Sequence, residues 1–504
     1  MSNPLWQALF APLAGRAAAF VILPDGAGIS GAAFHDMALR QAAVLAAAGV
    51  GPGDRVLVQA AKSVEALALW PAAVHLGAVF LPLNPAYTAA EAAHFVADAA
   101  PRAIVADPAL ADGLGALAPG AALFTLDAGG GGTLAAAATA AGVAEAGAPA
   151  ARAPGDLAAL LYTSGTTGRS KGAMMTHENL LSNARVLADL WGFSARDVLV
   201  HALPIFHTHG LFVATNIVAL TGGAMLWLPG FDAEAVLRAM PRATAMMGVP
   251  TFYTRLLAHP GLTREAVAHM RLFISGSAPL LEETHRAFAA RTGHAIVERY
   301  GMTETGMNTS NPLDGPRKPG TVGLPLPGVS VRVVEPATGA VLAPGEIGLV
   351  EVKGPNVFAG YWNLPDKTAE EMRPDGFFVT GDLGVFDADG YLSIVGRQKD
   401  LIITGGLNVY PREVEMALDD LDGVAESAVI GVPHPDFGEA VVAVVVPAPG
   451  AAPDPEALRA ALGARLARFK QPKAVLLTEA LPRNAMGKVQ KAALRARNAG
   501  LFAP

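Results

Sequence analysis

Short apolar runs set off by alanine-rich, helix-compatible stretches recur between residues 35 and 100. Arg55-Val-Leu-Val-Gln59 and Ala78-Val-Phe-Leu-Pro82 are two such runs, and the alternation predicts βαβ units and a parallel sheet. Gly210–Pro229 carries no charged residue and has the length of a membrane span, but Asn216 and the pair Gly222-Gly223 interrupt it. It reads as a buried helix, a glycine turn and the strand Ala224–Leu228. Residues 128–154, dominated by Ala and Gly, read as a surface connection, because the sheet pattern resumes at Asp156. A sharper break follows Gly390-Tyr-Leu-Ser-Ile-Val-Gly-Arg397, where Gln398-Lys-Asp400 leads into a new strand and the loop Thr404-Gly-Gly-Leu-Asn408. Pro411 then opens a helix with Glu413 and Glu415 in its first turns, and Ala440–Val446 reads as a strand. The expected fold class is α/β. Residues 1–397 form a large domain of parallel-rich sheets flanked by helices, and residues 398–504 form a small α+β domain.

The 504 residues, 52% hydrophobic and 16% charged, are too many for one core. A net charge of −7 argues against nucleic acid as a partner. The absence of cysteine excludes disulfides, thiolate metal sites and cysteine nucleophiles. Met1-Ser-Asn-Pro-Leu-Trp6 shows no basic leader, so a soluble, cytoplasmic protein without a membrane partner is expected.

The chemistry begins where Leu157-Ala-Ala-Leu-Leu-Tyr162 stops at Thr163-Ser-Gly-Thr-Thr-Gly-Arg-Ser-Lys-Gly172. Gly165, Gly168 and Gly172 let the backbone approach an anion closely. Thr163, Ser164, Thr166 and Thr167 offer hydroxyl donors, and Lys171 offers a point charge for a polyphosphate. The common nucleotide loop, Gly-x-x-x-x-Gly-Lys-Ser/Thr, cannot be threaded through this segment, because Gly172 stands where the Mg²⁺-binding hydroxyl would follow the lysine. A flexible Ser/Gly linker is the plain alternative.

Further segments follow in order: Leu203-Pro-Ile-Phe-His-Thr-His-Gly210, Ser275-Gly-Ser-Ala-Pro279, Arg299-Tyr-Gly-Met-Thr-Glu304, Val379-Thr-Gly-Asp382 and Gly396-Arg-Gln-Lys-Asp400. Lys488 then lies in Pro482-Arg-Asn-Ala-Met-Gly-Lys-Val489. Singly most are weak, and Lys488 alone reads as a solvated lysine. Together, from about residue 30 to residue 495, the chain resembles the acyl-adenylate-forming enzymes: acyl-CoA synthetases, luciferases and adenylation domains of peptide synthetases.

The resemblance implies a reaction of two steps. A carboxylate attacks the α-phosphate of Mg·ATP to give acyl-AMP and pyrophosphate, and the thiol of coenzyme A then displaces AMP. It implies that the loop from Thr163 to Lys171 holds the β- and γ-phosphates, and that Glu304, with Thr166, holds Mg²⁺. Tyr300 would stack on adenine beside Thr303, with the backbone of Gly276, Ser277 and Ala278 reading the base edge. Asp382 and Arg397 would reach the ribose. Lys488 would bridge the carboxylate and the α-phosphate, and Lys399 would be the hinge of a mobile small domain. His207 would gate the acyl pocket. His201, His207 and His209 lie close in sequence, but no carboxylate or cysteine accompanies them at metal-ligand spacing.

For the acid, Met246-Met-Gly-Val-Pro-Thr-Phe-Tyr-Thr-Arg255 corresponds by resemblance to the pocket helix. Arg255 is expected to point inward and clamp a second substrate carboxylate, the alternative being that it faces solvent. The runs Glu298–Pro312 and Gly405–Pro411 resemble malonyl-CoA synthetases, which implies a dicarboxylic acid, malonate or methylmalonate, as substrate. Thr208, Ser277 and Met307 would shape a short polar pocket, and Gly306 would leave room for a 2-methyl group. An acyl-CoA ligase for medium-chain or aryl monocarboxylic acids is the alternative, and a carrier-loading adenylation module a third reading. Acetylation of Lys488 by a lysine acetyltransferase would remove the cation of the first step.

Overall fold

The computed structural model describes residues 2–163, 170–463, 465–484 and 487–502. The chain forms two compact units, Met1–Ser330 with Val352–Phe378, and Val331–Glu351 with Val379–Pro504. Residue 397, the expected boundary, lies inside the second unit.

The first unit contains a six-stranded sheet built from β3 (Arg55–Gln59), β4 (Val79–Pro82), β5 (Ala103–Ala106), β6 (Ala122–Thr125), β7 (Leu157–Thr163) and β8 (Lys171–Thr176), in the order β6-β5-β3-β4-β7-β8. Its pairings are parallel except for the β7–β8 hairpin. The second sheet runs β15-β14-β13-β12-β11-β9-β10-β1-β2. Its members are β1 (Ala19–Ile22), β2 (Gly28–Ser30), β9 (Val198–His201), β10 (Ala224–Trp227), β11 (Ala245–Gly248), β12 (Leu272–Ser275), β13 (Val297–Met302), β14 (Gly306–Ser310) and β15 (Leu324–Pro325). The middle of that sheet is parallel and both ends are antiparallel.

Crossover helices begin at side-chain caps. Ser63 Oγ accepts from the Ala66 N–H at 3.0 Å to start Val64–Leu76, and Thr176 with Asn179 forms a reciprocal capping box for His177–Leu190. The apolar run from Gly210 divides as its glycines predict, with one addition. His209–Thr215 is a π-helix, followed by the α-helix Asn216–Thr221, a turn at Gly222 with φ +72°, and β10. Among the described residues no helix is long and apolar enough to cross a membrane. The Ala/Gly stretch carries its own helix, Thr133–Ala140, with only Leu134 buried. Alanine's intrinsic propensity outweighs the flanking glycines there.

The second unit is mainly antiparallel. β16 (Ser330–Val334), β17 (Gly348–Lys353), β18 (Phe378–Phe386) and β19 (Leu392–Arg397) form one sheet. β20 (Ile402–Thr404), β21 (Leu407–Val409), β22 (Val424–His434), β23 (Gly438–Pro447) and β24 (Ala474–Leu477) form another. Thr404–Asn408 proves to be a tight hairpin turn between β20 and β21. Gly405 and Gly406 have φ of +58° and +78°, and two successive left-handed positions suit glycine best.

Helix Pro411–Asp419, opened by its proline as expected, ends on a carboxylate that is hard to bury. The Asp419 side chain is 9% exposed, accepts from Ser427 Oγ at 2.7 Å and stands 3.7 Å from Arg412. Burial raises its pKa to about 6, against the hydrogen bond from Ser427 and the charge of Arg412. Because the folded value exceeds the unfolded one, the folded state binds this proton more tightly, and stability falls as pH rises from about 4 to 6. Asp419→Asn keeps the acceptor for Ser427 and should raise the thermal stability of this unit by about 1–3 kcal/mol at pH 7.5. Calorimetry should find the gain fading towards pH 4; a gain constant across that range would contradict the assignment.

Candidate active site

The β7–β8 hairpin pairs Thr163 with Lys171 at the two ends of the phosphate loop. Ser164, Gly165, Thr166 and Thr167 lie outside the described residues. Segment Gly360–Trp362 runs beside β8: Trp362 N–H donates to Gly172 O at 2.8 Å, and Tyr361 bridges to Ala173. A Cβ on Gly172 would lie 3.0 Å from Leu160 and 3.3 Å from Trp362, so close packing favours glycine there. Tyr361 is thereby brought over the loop exit. Its hydroxyl lies 2.7 Å from Glu371 Oε2 and 3.2 Å from Glu304 Oε1, and Thr163 Oγ1 is 3.4 Å from the same Glu304 oxygen. Lys171 Nζ pairs with Glu371 at 3.1 Å and sits 3.9 Å from the centre of the Tyr361 ring.

Burial, then the charges of Glu304 and Glu371, push the Tyr361 phenol well up, so it stays a donor. Burial works to raise Glu371, but hydrogen bonds from Tyr361, Lys171 and Lys367 outweigh it and hold the group below the usual carboxylate range. Glu304 is a buried carboxylate flanked by two hydroxyls. That is a hard-oxygen donor set, and it fits Mg²⁺. Among the described residues no cluster of three or more His, Asp or Glu could hold a metal by itself.

The second group collects past the carboxyl ends of β9 and β12, where open α/β sheets place their ligands, and on the neighbouring β13. Ser277 has φ +73°, a strained value for a non-glycine residue, and its Oγ lies 3.2 Å from His209 Nδ1. Arg299 is 3% exposed, and its guanidinium runs under Gly276, where a Cβ would approach Cζ to 2.5 Å. Arg299 Nε and Nη2, His209 Nε2 and Thr208 Oγ1 are buried and make no hydrogen bond among the described residues. Burial lowers the Arg299 pKa to about 9. It also drives His209 well down, with Arg299, His207 and His201 adding to the effect, so the His209 ring is neutral. His207 is half-buried, and its Nδ1 accepts from the His209 N–H at 3.3 Å.

Met307 is buried, and Asn183 holds its backbone by 3.0 Å bonds to both N–H and C=O. Gly306 has φ +57°, and a Cβ there would fall 2.9 Å from Asn183 Oδ1. A glycine there meets a backbone constraint whatever the size of the acid. Ala278, Tyr300 and Thr303 are half-buried.

Arg255 is not part of this group. Helix Pro250–Ala258 turns Tyr253 and Leu256 to the core and leaves Arg255 exposed. Positions 253 and 256 share a face, whereas 255 lies about 100° away from 256.

In the second unit, Asp382 and Arg397 are register partners on β18 and β19, and the Arg397 Nε reaches Asp382 Oδ1 at 2.6 Å. Lys399 is exposed in the short turn Gln398–Asp400. Lys488 is exposed on a tight turn: its N–H donates to Asn484 Oδ1 and its C=O accepts from Asn484 N–H, each at 3.0 Å, beside Gly487 at φ +75°.

Arg299, Tyr361 and Glu371 were not singled out in the sequence, and His209 was weighed there only as a metal ligand. Arg299 follows Glu298, and such a pair reads as surface charge. Tyr361 and Glu371 carry no local signal, since only the chain's return alongside β8 brings them to the loop.

Residues 11–362 match the AMP-binding enzyme family and residues 413–488 its C-terminal domain. A feruloyl-CoA synthase from Amycolatopsis is 39% identical over 464 residues, 90% of each chain. A malonate–CoA ligase from Arabidopsis thaliana is 38% identical over 371 residues, 68% of this chain and 60% of its own. ATP-bound MatB from Rhodopseudomonas palustris superposes with a TM-score of 0.97 at 55% identity over the whole of both chains. The chain therefore belongs to the AMP-binding enzymes, and within them it is an acid–CoA ligase that uses ATP, Mg²⁺ and CoA.

Proposed function

We propose that the enzyme is a malonyl-CoA synthetase, accepting methylmalonate as well, that works through an acyl-AMP intermediate. The observation that carries this reading is Arg299. A guanidinium removed from water without a counter-ion is costly by several kcal/mol. A dicarboxylic acid would offset that cost by placing its second carboxylate against Nε and Nη2, the fork Arg presents to planar anions. Thr208, Ser277 and the neutral His209 would supply the remaining donors of a short, polar pocket, and Met307 would bound it. The likeness to the Arabidopsis malonate–CoA ligase supports the same reading.

Glu304, with Thr166, would hold Mg²⁺, which screens the triphosphate during attack on the α-phosphate. Thr163 to Lys171 would bind the β- and γ-phosphates, with Lys171 exchanging Glu371 for phosphate oxygens. Tyr300 and the backbone of 276–278 would hold adenine, with Thr303 beside it, and Asp382 and Arg397 the ribose. His207 would gate the acid. Lys488 would meet the negative charge that builds between carboxylate and α-phosphate. The small domain would pivot at Lys399 between the two half-reactions. A cytoplasmic setting fits the need for ATP and CoA together. The feruloyl-CoA synthase likeness favours the second reading, a ligase for aryl or medium-chain monoacids, which leaves the buried Arg299 without a role.

Thioester formation should be measured with malonate, methylmalonate, succinate, octanoate and ferulate. Malonate should lead, and Arg299→Met should lower kcat/KM for malonate by roughly 10²–10³ while sparing octanoate. Arg255→Ala should keep the wild-type preference for malonate over octanoate. Efficient monoacid turnover, indifferent to Arg299, would move the enzyme to the second reading.

Acetylation of Lys488 by a lysine acetyltransferase removes its charge. Acetylated enzyme should lose adenylation, read as pyrophosphate release, by roughly 10²-fold or more, yet still transfer the acyl group from supplied acyl-AMP to CoA. Equal loss of both half-reactions would contradict the role given to Lys488.

A further inference from the structure

Beneath the His207–Gly210 segment lies a polar cluster that the reaction described above does not use. Lys62, which precedes the Ser63 cap, directs its amine to three acceptors: His201 Nδ1 at 3.1 Å, His201 O at 2.8 Å and Leu228 O at 2.6 Å. The Trp227 ring closes another side, with its centroid 4.3 Å from Nζ. Among the described residues no acidic side chain pairs with Lys62. Burial pushes its amine well below the usual value, but three acceptors match the three protons of an ammonium.

His201 is fully buried, and its Nε2 stands 2.9 Å from Gly210 O. A carbonyl can only accept, so Nε2 carries the proton. Burial, then the charge of Lys62, lowers the His201 pKa to about 3, so the ring is neutral and Nδ1 accepts from Lys62. The two partners thus fix one tautomer.

The receiving carbonyl is tightly placed. Gly210 O also accepts from Thr215 Oγ1 at 3.0 Å within the π-helix His209–Thr215, a form that is rare and frequent at functional sites. A Cβ on Gly210 would lie 2.2 Å from Pro204 O. The start of this π-helix carries Thr208 and His209, the acyl-pocket wall.

We propose that Lys62 and His201 are positioning residues for the acyl pocket. Lys62 sets the His201 tautomer, and the His201 Nε2–H holds the Gly210 carbonyl that determines where Thr208 and His209 meet the acid. The proposal rests on the reading above only in that an acid binds against those two side chains.

The test is steady-state kinetics of the full-length enzyme with malonate and, separately, octanoate, on wild type, Lys62→Met, His201→Asn and His201→Gln. The glutamine amide can place a donor near the position of Nε2, whereas the shorter asparagine amide cannot. Lys62→Met and His201→Asn should raise KM for the acid by roughly tenfold with KM for ATP within about twofold, and His201→Gln should return to within about threefold of wild type. An acid KM unchanged in both disrupted variants overturns the proposal. So does a KM for ATP that moves in step with that for the acid, or a glutamine variant no better than asparagine. If melting shows Lys62→Met unfolded, the asparagine–glutamine pair decides alone. If the wild type turns over octanoate but not malonate, the malonate reading fails and the octanoate kinetics still decide the relay.

Discussion

The group formed by residues 208, 209, 276, 277 and 299 is organised around one buried cation. Arg299 sits under Gly276 within β13, with two guanidinium nitrogens unmatched by any described protein acceptor. The surrounding choices follow from that placement. Residue 276 lacks a side chain because the guanidinium fills the space a Cβ would occupy. Ser277 accepts backbone strain at φ +73° and brings its hydroxyl to His209. His209 is neutral, as it must be beside a positive charge in a dry site. On the malonate reading, the second carboxylate of the acid would complete this arrangement.

The group at the exit of the 163–171 loop is built differently, with its lysine already paired within the protein. Lys171, Tyr361, Glu371, Glu304 and Thr163 form a continuous chain of contacts drawn from the β7–β8 hairpin, the segments around residues 304 and 361, and helix Pro365–Glu371. One phenolic proton lies between two carboxylates, and the shorter contact goes to Glu371. The two groups thus differ in kind: one holds a cation without a described partner, the other a lysine already paired with a carboxylate.

Much of this was legible in the residues. The parallel runs, the glycine turn at 222, the Pro411 helix start and the strands that flank the Ser/Thr/Gly loop are local patterns, set by period and backbone freedom. The double glycine at 405–406 was visible too, although its tight-turn geometry was not. What could not be read was long-range. Arg255 and Arg299 look equally suited to face inward on paper. The helical face decides against the first, and burial within β13 decides for the second. Tyr361 and Glu371 join Lys171 across nearly two hundred positions of chain, a contact no local pattern encodes. The Lys62–His201 pair is of the same kind, joining the start of one crossover helix to the end of a strand in the other sheet.

The Lys171–Glu371 pair also bears on how nucleotide affinity responds to ionic strength. A lysine that waits in water gains its full electrostatic attraction when a triphosphate arrives, and added salt weakens that gain directly. On the proposed reading, the incoming phosphate would displace a carboxylate already 3.1 Å from the same ammonium. Affinity would then be the difference between two ion pairs, with screening acting on both. The exchange would trade some binding strength for constancy, and it would leave Glu371 free to draw the lysine back as pyrophosphate departs.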